Sequence, residues 1–298
     1  MLSVVLSQAF NGLSVGSILL LAAVGLAITF GLMNVINMAH GQFMMVGAYV
    51  AYLGDKVAEH FLGAAHATDG FLPSLPAAFL VAALLGWLLE RGLVQFLYKR
   101  PLDTLLATWG VGLIMQQAAK NIFGAPNVNV SAPHWLGGAL VLGSVALPYS
   151  RLFILGLAVV TLLAVFLYLY RTSNGRRIRA VMQNRTIADC MGVRTDRVDA
   201  WAFALGTGLA GLAGATLCLI GPIGPFIGTD YIVQAFMVVV LGGVGQLVGT
   251  VAAAGAIGTL SSVFNYAFSV SIGQVLVFAG IIAFLQWRPS GLVRARGR

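Results

Sequence analysis

Residues 171–199 read RTSNGRRIRAVMQNRTIADCMGVRTDRVD and form the longest polar stretch of the chain. This stretch, called here the arginine-rich loop, holds seven of the 17 basic residues and three acids. Apolar runs flank it at 151–170 and 200–220. Because so much charge is costly in hydrocarbon, we expect a loop between two membrane-spanning helices. The side of the membrane on which it lies then sets the topology of the whole chain.

The arginine-rich loop has a helical pattern of its own. Apolar residues recur at helical spacing on either side of Asn184: Ile178, Val181 and Met182, then Ile187, Cys190 and Met191. The pattern predicts two short amphipathic helices that end at Gly192. We expect Gly175 to end the helix before them, and Thr195 or Asp196 to cap the helix after them.

Two roles suit such a loop. In one, its arginines face anionic lipid headgroups. In the other, a short helix docks into a groove of a soluble partner at the membrane face. A simple tether needs no apolar stripe, so the pattern favours docking.

The composition is that of a membrane protein. Of the 298 residues, 59% are hydrophobic and 9% are charged, against about a quarter charged in soluble domains. The net charge of +8 does not indicate nucleic-acid binding, because the basic residues lie at the ends of apolar runs. The two cysteines, Cys190 and Cys218, have neither disulfide nor metal-ligand spacing, so no metal site is expected.

Nine apolar runs approach the twenty or so residues that span a bilayer. The sequence therefore predicts an all-α, polytopic membrane protein with about nine segments, between eight and ten, in one domain over residues 1–298. The runs are 5–31, 34–54, 73–98, 103–123, 150–170, 200–221, 231–248, 250–267 and 271–287.

The basic residues predict the orientation. If the arginine-rich loop is cytoplasmic, 14 of the 17 lysines and arginines lie inside, and Lys56, Lys120 and Arg151 lie outside. The positive-inside rule then places the N-terminus in the periplasm and the C-terminus in the cytoplasm.

The second apolar run predicts a broken helix. Residues 31–53, GLMNVINMAHGQFMMVGAYVAYL, bring Asn34, Asn37, His40 and Gln42 close to membrane depth with no charged loop. An interrupted helix exposes backbone groups that need a protein-lined cavity, and such breaks line many transport sites. Alternatively, the two asparagines cap the second helix and His40 is a buried core residue.

The fourth run carries a polar stripe. In residues 100–124, RPLDTLLATWGVGLIMQQAAKNIFG, Thr104, Thr108 and Gln116 share one helical face, with Trp109 beside it. Hydroxyls and amides without carboxylates suit a small neutral solute. The alternative is hydrogen bonding between helices.

Several functions are disfavoured by what the chain lacks. It contains no His-Glu-x-x-His or P-loop motif, and its one Gly-x-Ser-x-Gly match, at 12–16, lies inside the first apolar run and not at a strand-to-helix turn, so we expect no enzyme, no catalytic residues and no nucleotide site on this chain. A stand-alone channel or secondary carrier is the main alternative. Such carriers usually bury an ionisable group, whereas Glu90, Asp103 and Asp230 lie near the ends of apolar runs.

Four stretches together resemble a known family. They are GLMNVINMAHGQFMMVGAY at 31–49, RAVMQNRTIADCMGVRTDRVDAWAF at 179–203, GPIGPFIGTDYIVQAFMVVVLGGVGQLVGT at 221–250, and WRPSGL at 287–292. The chain is similar to permease subunits of ATP-binding-cassette (ABC) importers of the branched-chain amino acid type. Residues 100–124 look most like the urea branch, in particular the first of its two permeases. Urea is thus the predicted substrate, and branched-chain or other amino acids are the alternative.

The resemblance implies further parts of a transport system. These are a second related permease, two cytoplasmic subunits that bind ATP and a periplasmic substrate-binding protein, with this chain in the bacterial inner membrane. It also implies that one part of the arginine-rich loop is a coupling helix that receives the ATPase motion: Arg185, Thr186, Ile187, Ala188, Asp189, Met191 and Gly192.

Overall fold

The computed structural model describes residues 2–33, 36–63, 70–98, 100–130, 132–142 and 145–293. Eleven helices lie within these residues: α1 (Leu2–Met33), α2 (His40–Leu62), α3 (Phe71–Gly92), α4 (Pro101–Phe123), α5 (Tyr149–Arg171), α6 (Ser173–Gln183), α7 (Arg185–Cys190), α8 (Thr195–Leu217), α9 (Ile227–Gly242), α10 (Leu247–Ala267) and α11 (Val270–Trp287). Strands β1 (Ala139–Leu142) and β2 (Val145–Pro148) form an antiparallel hairpin that pairs Ala139 with Pro148 and Leu142 with Val145.

Each of the nine predicted apolar runs is largely helical, which confirms a helical polytopic membrane protein. The hairpin is a small departure from an all-α fold. Six helical segments of the described chain are long and apolar enough to cross a membrane: Ser7–Gly31, Phe71–Phe96, Tyr149–Arg171, Thr195–Leu217, Leu247–Ala267 and Val270–Trp287. The three remaining runs form α2, α4 and α9, and α9 is an apolar helix of only 16 residues.

The centre of the fold is the pair α1 and α8. In the most apolar part of each span, 78% of α1 and 83% of α8 is buried, against 17% of α11. Helix α8 packs on α1, α2 and α3, with Phe203 almost fully buried. The outer helices expose rows of leucine and valine instead, as expected for surfaces that face lipid acyl chains.

Helix α2 begins deep inside the bundle. The Nε2 atom of His40, its first residue, lies 3.0 Å from the carbonyl oxygen of Ala22, in the interior of the α1 span. A Cβ placed on Gly25 of α1 would lie 3.1 Å from His40 Cε1 and 2.3 Å from the carbonyl oxygen of Gly206, the midpoint of α8. The irregular residues 36–39 that lead into α2 are therefore held at the depth of the helix bundle, which agrees with the predicted interruption.

Helix α9 also starts within the bundle, against the start of α2. A Cβ built on Gly41 would lie 2.1 Å from the carbonyl oxygen of Gly228, and one built on Gly228 would lie 2.3 Å from that of Gly41. Only glycine permits so close an approach of two backbones. The first turns of α2 and α9 are thus in direct contact.

The arginine-rich loop forms the two predicted short helices, α6 and α7. Thr172 caps α6, because its Oγ1 accepts a hydrogen bond from Gly175 N–H at 3.0 Å, and Asn184 Oδ1 caps α7 through Ile187 N–H at 3.0 Å. Gly192 closes the segment with φ of +80°. Two details of the prediction are wrong. Gly175 lies inside α6 because α5 already ends at Arg171, and neither Thr195 nor Asp196 caps α8.

Candidate functional site

The polar stripe of α4 faces the start of α2 and the turn before α9. Thr108 is fully buried, and its Oγ1 accepts a hydrogen bond from Met38 N–H at 3.2 Å. Gln116 Nε2 donates to the carbonyl oxygen of Pro225 at 3.3 Å, and Gln42 Nε2 donates to Thr229 Oγ1 at 3.4 Å. Three predicted residues from distant stretches thus line one seam between α2, α4 and α9.

Several polar atoms of residues 36–42 are buried without a hydrogen-bond partner within the described part of the chain. They are Asn37 Nδ2, His40 Nδ1 and Gln42 Oε1. Leaving such a group unpaired costs about 1–3 kcal/mol, so buried polar atoms are normally satisfied by protein, water or a bound solute. The start of α2 therefore has the capacity to hydrogen-bond a polar solute.

The predicted site residues do not all lie on this seam. His40 points toward α1 through its contact with Ala22, which matches the alternative of a core residue. Thr104 is buried at the other end of α4 and donates to the carbonyl oxygens of Leu97 and Arg100. Trp109 is 53% exposed and is not one of the buried residues of α4. Asn34 lies outside the described residues.

Asn37 has a local structural role as well. Its Oδ1 accepts a hydrogen bond from Ala39 N–H at 3.0 Å, and its carbonyl oxygen accepts one from His40 N–H at 3.2 Å. These bonds form a turn that sets the direction of α2, as asparagine side chains commonly do. One amide thus shapes the turn through its oxygen, and its nitrogen has no hydrogen-bond partner among the described residues.

A cluster of ionisable side chains ties the arginine-rich loop to the bundle. Arg185 Nη2 lies 2.6 Å from Asp199 Oδ2, and the Asp199 side chain is fully buried. The Arg185 guanidinium also lies over the ring of Tyr98, 5.2 Å from its centroid. The Tyr98 hydroxyl donates to Glu90, which is itself fully buried. These four residues, Glu90, Tyr98, Arg185 and Asp199, are called here the loop cluster.

Sequence reasoning identified only Arg185 in the loop cluster. In the sequence, Glu90 lies near the end of an apolar run, Tyr98 is the last residue of the run 73–98, and Asp199 is the last residue of the arginine-rich loop. A usable signal was present, since a carboxylate next to the end of an apolar run needs either water or a charged partner. Only the packing of α3, α7 and α8 shows that these carboxylates lie near a charged partner and not in water.

Some of the predicted coupling residues contact the rest of the protein, and the others are exposed. Ala188 is buried, and Asp189 Oδ1 accepts a hydrogen bond from Thr195 Oγ1 at 3.0 Å, which joins α7 to α8. Ile187 and Met191 are 60% and 79% exposed, and Thr186 is also exposed. Helix α7 therefore has one face fixed on the protein and one apolar face open to a partner.

Among the described residues, no group of three or more His, Cys, Asp or Glu side chains is placed to hold a metal ion. The chemistry available is hydrogen bonding at the seam and ion pairing at the loop cluster. The two starting turns of α2 and α9 meet inside a bundle of membrane helices. Together these features define a polytopic membrane protein with a polar seam inside and, at one end, a short helix with an exposed apolar face.

Comparison with known proteins gives the family. A model of the "branched-chain amino acid transport system / permease component" family matches residues 8–285. The chain belongs to this family of ABC transporter permeases and is a multi-pass inner-membrane protein.

Three relatives illustrate the match. The chain is 28% identical to the high-affinity branched-chain amino acid transport system permease protein LivH of Escherichia coli, over 97% of this chain and 95% of LivH. It is 26% identical to the corresponding BraD of Pseudomonas aeruginosa, with the same coverage. It is also 26% identical to the permease protein LivM of Salmonella typhimurium, over 93% of this chain and 68% of LivM.

Proposed function

We propose that residues 1–298 form one permease domain that supplies half of the membrane pathway of an ATP-driven importer. Its nine helical runs would cross the membrane with the N-terminus in the periplasm and the C-terminus in the cytoplasm. Contacts between distant residues support the grouping of ends on each side. Arg151 contacts Asn11 near the N-terminus, and Met182 of the arginine-rich loop lies near Gly31 and Gly245, so each set shares one side of the membrane.

Coupling to ATP hydrolysis would occur at α7. The open face with Ile187 and Met191 suits a groove on a cytoplasmic ATPase subunit. The opposite face is joined to α8 by Asp189 with Thr195 and by Arg185 with Asp199. A push on α7 would therefore reach α8, which packs against α1, α2 and α3.

The assembly would contain more than this chain. Similarity to both LivH and LivM, which are named as permease proteins of branched-chain amino acid systems, supports a related second permease as the other half of the pathway. Two ATPase subunits and a periplasmic binding protein complete the proposed importer. ATP would bind only to those ATPase subunits.

The first candidate substrate is an amino acid of the branched-chain class. The names of the relatives favour it, and so does the meeting of the starting turns of α2 and α9 beside Gly41 and Gly228. Helix N-termini carry partial positive charge and stabilise a substrate carboxylate in other transporters. Asn37, Gln42, Thr108 and Gln116 would make the remaining weak contacts.

Urea is the second candidate. It is favoured by residues 100–124 and by the neutral character of the seam, where Thr108, Gln116 and Gln42 present hydroxyl and amide groups. A neutral amide both donates and accepts hydrogen bonds and needs no charged partner. The two candidates differ in whether a carboxylate is required.

An uptake assay tests both the importer function and its substrate. The chain is expressed with the genes of its importer in a host that lacks its own leucine and urea uptake. We expect uptake of labelled leucine that disappears when the ATPase subunits are inactivated. Urea uptake without leucine uptake would replace the first substrate by the second. Uptake by this chain alone in ATP-free vesicles would contradict the importer and favour a channel or carrier.

A further inference from the structure

A cleft of about 500 Å³ lies beside the arginine-rich loop, between the end of α5, α6 and the start of α8. Its lining includes Arg177, Arg194 and Arg197 and no acidic residue. This volume is within the range of about 300–1,000 Å³ that is typical of small-ligand sites. We call it the arginine cleft.

The three arginines of the cleft are available to a ligand. Within the described residues none of them has an ion pair, and Arg177 has only a hydrogen bond of 3.4 Å to Asn174. Asp196, between the other two in sequence, lies 3.9 Å from Arg185 instead. Three uncompensated guanidinium groups around one cleft favour a phosphate, which arginine binds through paired N–H groups.

The cleft lies where two membrane spans end. Its wall includes Tyr168, near the end of the Tyr149–Arg171 span, and Trp201, near the start of the Thr195–Leu217 span. Trp201 is 63% exposed, although α8 beyond its first turn is otherwise buried or half-buried. A half-buried Tyr and an exposed Trp at such positions are typical of the membrane–water boundary.

Apolar surface for acyl chains is present next to these aromatic residues. The second half of α5 exposes Leu163, Phe166 and Leu167 by 56%, 47% and 46%. A cleft with basic residues, two boundary aromatics and an adjoining apolar helix has both parts of a site for a whole lipid. A soluble anion would use only the arginines.

We propose that the arginine cleft binds the phosphate headgroup of an anionic phospholipid, and that the bound lipid holds the end of α5 against the start of α8. The site borders the open face of α7, because Met191 and Gly192 also line the cleft, whereas Ile187 lies outside its lining. The inference rests on the membrane location and on the cleft, and it holds for either candidate substrate.

The test compares two arginine pairs of the same loop. The full chain is purified in neutral detergent and titrated with phosphatidylglycerol, and bound lipid is counted by native mass spectrometry. R194Q/R197Q changes the cleft, and R171Q/R176Q removes the same charge from exposed positions outside its lining. An arginine near an anionic lipid contributes about fivefold in affinity, so we expect about a 25-fold loss for the cleft pair and little change for the control.

Two further measurements separate the lipid from other ligands. Phosphatidylcholine should bind far more weakly to the unchanged protein, and glycerol 3-phosphate should not displace phosphatidylglycerol. Unchanged melting temperatures for both variants would exclude misfolding as the cause of a loss.

Four results would overturn the proposal. They are equal losses in the two arginine pairs, no loss in either pair, full displacement by glycerol 3-phosphate, and release of the ATPase subunits by R194Q/R197Q while phosphatidylglycerol still binds. The last result would assign the cleft to the protein partner.

Discussion

The stability of the loop cluster depends on the carboxylate of Asp199, which pairs with Arg185. It is fully buried and lies 2.6 Å from Arg185 Nη2, whereas the Arg185 side chain is 39% exposed. Asp199→Asn should destabilise the protein by about 2 kcal/mol, less than the 3–5 kcal/mol typical of a broken buried pair, because water still reaches Arg185. Thermal unfolding in detergent measures this loss.

A neighbouring carboxylate provides the control for Asp199. Asp196 also approaches Arg185, but at 3.9 Å and with 78% of its side chain exposed. Asp196→Asn should change stability by less than about 0.5 kcal/mol, because exposed ion pairs contribute little. Equal effects of the two substitutions would contradict the assigned importance of the buried pair.

Gly41 is a second position at which a substitution should strongly affect stability and uptake. A Cβ there would lie 2.1 Å from the carbonyl oxygen of Gly228, so Gly41→Ala must push α2 and α9 apart. We expect a loss of about 1–3 kcal/mol, as for other overpacked sites, together with reduced uptake. Gly110→Ala is the control, since a Cβ at Gly110 of α4 meets no atom within 4 Å. A stable, fully active Gly41→Ala protein would contradict the close contact.

At the scale of the helix, α7 depends on its cap. Asn184 Oδ1 accepts a hydrogen bond from Ile187 N–H at 3.0 Å, and loss of such a cap costs about 1 kcal/mol. Because α7 has only six residues, Asn184→Ala should loosen this helix locally. We expect less substrate transported per ATP hydrolysed with little change in melting temperature.

A second side-chain cap distinguishes local coupling from general loss of stability. Ser269 Oγ accepts a hydrogen bond from Ile272 N–H at 3.5 Å at the start of α11, far along the chain from the arginine-rich loop. Ser269→Ala should leave the ratio of transport to ATP hydrolysis unchanged. If both variants lower that ratio equally, α7 has no special part in coupling.

For the whole molecule, the two natural cysteines test the topology. Cys190 is exposed at the end of α7, and Cys218 is buried. A membrane-impermeant maleimide should label Cys190 in inside-out vesicles and not in intact spheroplasts, with Cys218 unreactive in both. Ala132→Cys, introduced together with Cys190→Ser, places a thiol in the loop between α4 and β1 and should give the opposite result. Labelling of Cys190 from the periplasmic side would reverse the proposed topology.

Much of the fold could be predicted from local properties of the chain. The apolar runs located nine helices, and the spacing around Asn184 predicted α6 and α7. The stripe of Thr104, Thr108 and Gln116 was correctly placed on one buried face of α4. The direction of each polar group was not predictable, since Thr104 bonds to Leu97 just before its own helix and Thr108 bonds to Met38 of another segment.

Membrane insertion, helix positions and the apolar pattern of the short helices α6 and α7 therefore follow from the amino-acid sequence, because hydropathy and periodicity act over a few turns of chain. The depth of His40 beside Ala22, the meeting of Gly41 with Gly228 and the pairing of Arg185 with Asp199 and Tyr98 required the folded structure. Each joins residues that lie on different helices, and such contacts depend on how the helices pack, which no local pattern encodes.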